Sequence, residues 1–205
     1  MQIVNFQGGE GGIEEEERNT YHGFNTISKK RVLFLVFGII LFIGAYSVGA
    51  MLVEINDSEA QVIKRQFEGE VKGINEFGIF LNNIKVAVGM FIPGFGIELG
   101  IFTAFSTGLA FNAISQTSPS FVYHQISPLI VFLTPFGVLE AIAYGIAISR
   151  SSILSFQLIK TKNKKKYWKE EYLIPTIIEL GIVIAILFVG ALIEWQMVQQ
   201  MVRLG

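Results

Sequence analysis

The 205-residue chain has no cysteine, only two histidines and five prolines, and charged residues make up just 16% of it. Without cysteine there is no disulfide framework, no thiolate nucleophile and no thiolate-bound metal. His22 and His124 lie far apart in loop-like stretches, too few and too separated for a histidine-built metal or catalytic centre. The formal net charge of −1 lacks the basic excess of a nucleic-acid binder. Enzyme signatures are missing too: there is no G-x-S-x-G, no H-E-x-x-H, no P-loop and no intramembrane Asp pair. The chain is therefore read as a non-enzyme with no catalytic residue, metal or cofactor.

Apolar residues are what it has, at 51% of the chain and a mean hydropathy of +0.51. That composition belongs to a membrane protein and not to a soluble domain. Residues 1–28 are the exception. They hold Gly8, Gly9, Gly11, Gly12 and the acidic run Glu14 to Glu17, which cannot form a core, so a disordered cytoplasmic tail is expected. It is not a secretory leader, because the apolar stretch begins only at Val32 and is long enough to span.

Lys29, Lys30 and Arg31 then abut an uncharged apolar run over residues 32–53. As a helix it covers roughly 33 Å, enough for a bilayer core of about 30 Å. The basic triplet predicts a cytoplasmic N-terminus. Residues 54–77 are polar, with Val62, Ile63, Phe67, Val71 and Ile74 at helical spacing. They predict an outer amphipathic helix, packed on the membrane end of the protein or lying at the interface.

Residues 82–112 are apolar enough for lipid yet too long for one plain span, and Pro93-Gly94-Phe95-Gly96 breaks them near the middle. Residues 149–171 carry Arg150, Lys160, Lys162, Lys164, Lys165, Lys166 and Lys169, so they are expected on the cytoplasmic side, where the lysines attract anionic headgroups. Residues 127–148 form one span, with Pro135 as a kink. The broken run must then cross an even number of times. It becomes a helix pair over 80–92 and 97–114, its turn inside the inner leaflet and walled by protein, with 115–126 as a second outer loop. A last span over 172–193 ends at the interfacial Trp195. The fold class is all-α: a polytopic helical bundle of about five membrane segments, N-terminus in and C-terminus out. Residues 29–205 form one transmembrane domain.

Counting along these helices places Asn82, Asn83, Lys85 and Asn112 in an outer polar layer. Glu140 falls about 12 Å and Glu179 about 10 Å from the cytoplasmic end, with Glu98 near them beside the turn. Three carboxylates without Lys or Arg nearby cannot all ionise cheaply. They are candidates for a cation or proton site, or for carboxyls and amides that tie helices together. Gly96 and Gly100 form a GxxxG pair, and Ala141 and Gly145 do the same in the fourth span, where small residues let helices approach closely. Pro93, Gly94, Gly96, Pro135 and Gly137 are the expected turn and hinge positions.

These same residues form a recognisable pattern. Phe80-Leu81-Asn82-Asn83-Ile84-Lys85-Val86-Ala87, the Gly-rich break, Thr103, Phe111-Asn112, Pro135-Phe136-Gly137-Val138-Leu139-Glu140 and Ala191-Leu192-Ile193-Glu194 follow in order. From about Ser28 onward the chain resembles the stage II sporulation protein M (SpoIIM-like) family of integral membrane proteins. Phe136 stands where the family pattern usually has histidine, while Gly137 and Glu140 match. The resemblance implies a multi-span protein of a prokaryotic plasma membrane. The sporulation member works in an envelope complex with a peptidoglycan hydrolase and another membrane protein. A non-catalytic scaffold or partner-recruiting subunit is therefore the first expectation, with the lipid bilayer and other envelope proteins, or a second copy, as partners. A transporter component using the Asn and carboxylate residues is the alternative, and an accessory subunit of a larger membrane enzyme the third.

Overall fold

Polar side chains at three points decide where helices start. Asn56 Oδ1 accepts the Glu59 N–H while Glu59 Oε2 accepts the Asn56 N–H, each at 2.9 Å, a reciprocal cap that opens a helix at Asp57. Asn75 Oδ1 accepts the Gly78 N–H at 2.9 Å and opens another at Glu76. Thr134 Oγ1 accepts the Gly137 N–H at 3.1 Å, with Pro135 in the first helical position, where its missing N–H costs nothing.

The computed structural model describes residues 10–71, 73–117, 128–160 and 173–204, and every regular element among them is helical. Helix α1 (Glu10–Ser47) runs into a π-helical turn (Val48–Leu52), followed by α2 (Asp57–Val71), α3 (Glu76–Met90) and α4 (Phe95–Thr117). A 3-10 segment (Pro128–Leu133) leads into α5 (Pro135–Lys160), and α6 (Ile174–Leu204) closes the chain. Four of these are long and apolar enough to cross a membrane: α1 over Lys29–Leu52, α4, α5, and α6 over Ile174–Met197. Helix α3, at 15 residues, reaches only about 22 Å and forms the short arm of a hairpin with α4. The chain is an all-α polytopic bundle. Its outer surface carries large apolar side chains such as Leu33, Phe102 and Ile177, each more than half exposed, as lipid contact requires.

Contacts between helices give each one a direction. At one end Arg31, Arg150 and Glu179 meet; this is the basic end. At the other, α2 packs against α4 through Phe67 and Phe111, ring centroids 6.1 Å apart. Helix α1 runs away from the basic end, α3 returns to it, and α4 leaves it again. Helix α5 comes back to the basic end and α6 leaves it. The centre is α5, which packs on α1, α3, α4 and α6. Its buried Ala141, Ala143, Gly145, Ala147, Ser149, Ser151 and Ser152 let neighbours close in. The rings of Tyr144 and Phe42 meet at a tilt with centroids 5.0 Å apart, and Phe80 meets Phe188 edge-on at 5.4 Å.

Several expectations change. The segment over 10–28, expected to be disordered, continues α1 as helix: its Glu-rich composition has good helix propensity, and the spanning helix behind it removes the cost of nucleation. The outer helix is shorter than 54–77 and packs on the protein itself. Pro135 starts α5 and does not kink it, because Thr134 caps that position. The fourth span accordingly shifts from 127–148 to Pro135–Lys160. Positions 149–160, expected in a cytoplasmic loop, are helical; 149–153 are buried, with Arg150 only 2% exposed, while Phe156 and Ile159 are exposed. Helix α6 runs past 193 to Leu204.

Candidate functional site

Moving α5 along the chain moves its carboxylate. Glu140 lies one turn and a half inside the start of α5, toward the α2 end, and not in a layer with Glu98 and Glu179. There Asn83 Nδ2, from α3, donates to Glu140 Oε1 at 2.5 Å. Glu194, near the far end of α6, is close enough for its charge to act on Glu140 and on the buried Tyr144. Among the described residues no Lys or Arg pairs with either glutamate. Tyr46 stands in the same region and donates its hydroxyl to Pro128 O at 2.9 Å. Three helices thus bring two carboxylates and an amide into one partly buried layer. Carboxylates so placed can share a proton or engage a small cation, and can equally hold helices together.

The second polar layer lies at the basic end. Arg150 Nε donates to Glu179 Oε2 at 2.5 Å, and Arg31 pairs with Glu179 Oε1. This overturns the expectation that Glu179 has no cation nearby: both of its oxygens are taken by guanidinium groups. Beside it, Ser151 Oγ donates to Ile92 O at 2.8 Å, and the Gly94 N–H donates to Ser155 Oγ at 2.6 Å. These bonds fasten the α3–α4 turn to α5. Gly94 has a φ of +83°, a conformation that favours glycine. Gly96 is buried, and a Cβ there would collide with the Met90 carbonyl and lie 2.6 Å from Ser151 Oγ. Phe91 and Gly96 face protein, whereas Ile92, Gly94 and Phe95 are exposed, so the turn is walled on one side only.

The other predicted residues separate. Asn82, Lys85 and Glu98 are exposed and belong to neither layer. Asn112 is buried at the α2 end, where it donates to Val53 O and accepts from Gln116, both at 2.9 Å, so it ties α4 to the end of α1. Gly137 is buried in the first turn of α5, where a Cβ would collide with Val131 O. Lys162, Lys164, Lys165, Lys166 and Lys169 lie outside the described residues. The residue counts missed Arg31 and Arg150 as partners of Glu179, and Ser151 and Ser155 as fasteners of the turn. A signal for them existed. The run from Ile148 to Ile159 stays apolar or small apart from Arg150 and Gln157, which continues a helix better than it begins a loop.

No curated protein and no solved structure matches the chain. Residues 33–195 match the family described as stage II sporulation protein M. The matched stretch includes Asn83, Glu140 and Glu194 of one layer and Arg150 and Glu179 of the other, and only Arg31 precedes it. With most of its length matched and the helical bundle in place, the chain belongs to the stage II sporulation protein M family.

Proposed function

We propose that the protein is a non-catalytic membrane subunit that recruits partners into a cell-envelope complex. The carrying observation is the use of its interior polar groups, which join helix to helix: Asn83 to Glu140, Asn112 to Val53, Arg150 to Glu179 and Ser151 to Ile92. Side chains spent in this way stabilise a rigid bundle. Next to that bundle, α2 leaves Val62 exposed and borders an open groove of about 550 Å³ lined by Val53, Glu54, Ile55, Ser58, Glu59, Val62 and Ile63. Under the positive-inside rule, Lys29 to Arg31 and the basic segment after α5 stay cytoplasmic and α2 faces outward. Purification of the tagged protein from its native membrane in mild detergent is expected to yield further subunits at fixed stoichiometry. A photocrosslinker at Val62 should capture at least one of them. Recovery of the chain alone, with no crosslinked product, would overturn the proposal.

Transport is the second reading, supported by Glu140 and Glu194 in one layer without a basic partner among the described residues, since intramembrane acids commonly mark ion paths. On that reading the purified protein in liposomes gives an ion- or pH-dependent flux that Glu140→Gln abolishes without unfolding the bundle. Absence of flux in the wild type, or unchanged flux in the variant, excludes it.

A further inference from the structure

Among the described residues, the basic-end layer holds two guanidinium groups against one carboxylate, an excess of one positive charge. Glu179 cannot absorb that charge, because Arg150 occupies one of its oxygens and Arg31 the other. Arg150 is 2% exposed, and its Nη2 is buried with no hydrogen-bond partner among the described residues. A charged donor left unmatched in an apolar setting is costly unless an acceptor completes it. The Arg31 side chain, by contrast, is 31% exposed, so the layer is open on the α1 side.

Depth narrows the acceptor. Arg31 is two residues from the start of its candidate span at Lys29, and Glu179 five from the start of its own at Ile174. Those offsets correspond to about 3 and 8 Å along the helix axes, near the level of headgroup phosphates, whereas Arg150 lies ten residues, about 15 Å, from the Lys160 end of its own span. Arginine is the side chain suited to phosphate, through paired N–H donors in a planar fork. We propose that Arg31 and Arg150 form a binding site for a phosphate group, supplied by the headgroup of an anionic phospholipid that enters beside Arg31. Glu179 holds the two guanidiniums in register and limits the excess to a single charge. The site is distinct from Lys162, Lys164, Lys165, Lys166 and Lys169, for which the sequence alone predicts attraction to anionic headgroups.

The test uses the full chain in detergent, with thermal unfolding followed after addition of phosphatidylglycerol, phosphatidylcholine or inorganic phosphate. Phosphatidylglycerol is expected to raise the midpoint above that in phosphatidylcholine. Arg31→Gln, which removes the excess charge at a partly exposed position, should weaken phosphatidylglycerol binding about tenfold, as loss of a charge-assisted hydrogen bond does. Arg31→Lys should retain part of the difference. A merely structural role for Arg31 would lower the midpoint equally in both lipids and leave their difference intact; that result overturns the proposal. An equal rise with inorganic phosphate overturns the lipid as source. Should Arg31→Gln fail to fold, native mass spectrometry of the wild type decides: one retained phosphatidylglycerol supports the site, and none, or a broad unsaturable distribution, overturns it.

Discussion

Glu179→Ala is expected to destabilise the bundle by about 3–5 kcal/mol, the usual cost of breaking a buried ion pair by removing one partner. The substitution leaves Arg150 charged and 2% exposed, facing Arg31 with no anion between them. Neither arginine can readily lose its proton, so the repulsion stays. The three residues come from α1, α5 and α6, and the strain therefore falls on the packing of three helices at once. Replacing both members of the inner pair, Arg150→Met with Glu179→Leu, should recover most of the loss, since well-packed apolar residues often match a buried pair. Unfolding in mixed detergent micelles, followed by circular dichroism, measures both. A single variant as stable as wild type would mean that Glu179 neutralises nothing.

The second large effect is steric. Gly108→Ala is expected to cost about 1–3 kcal/mol, in the range of overpacked cores. A Cβ at Gly108 would overlap the Tyr46 carbonyl and come within 3.0 Å of Ala50 N, while one at Gly49 would overlap the Phe105 carbonyl. The two glycines lie in the same crossing of α4 over the end of α1, and the atoms they meet are backbone, which cannot swing aside. Gly44 in α1 is the control. Nothing lies within 4 Å of its Cβ position, so Gly44→Ala should be neutral or stabilising by up to about 1 kcal/mol through helix propensity. Equal losses at both positions would point to a general intolerance of substitution and not to the crossing. Lipid tails are as apolar as the helix faces. Close packing and polar bonds, more than burial, hold such a bundle together.

The contacts that hold Glu179 and Gly108 join helices far apart in the chain and leave no mark in any local stretch of sequence. The α3–α4 break was legible because proline and two glycines interrupt an apolar run, and helices cannot pass such a point unbroken. The caps at Asn56, Asn75 and Thr134 act over three residues and leave local signatures. Pro135 was misread since the same residue suits both a kink and a first helical turn. The choice between them rested on the Thr134 hydroxyl. That one change displaced the fourth span and put Glu140 at the wrong end.

By itself the sequence determined that this is a polytopic helical membrane protein, where its apolar runs lie and that its basic residues gather at two points along the chain. Those properties follow from length, hydropathy and turn chemistry, which act within a few residues. Tertiary structure alone decided that Glu140 shares a layer with Asn83 and Glu194, that Glu179 is held between Arg31 and Arg150, and that Asn82 and Glu98 face away. The reason is physical. The identity of a buried polar residue signals only that some partner is needed, and the partner is supplied by whichever helix packs alongside, however distant it is in the chain.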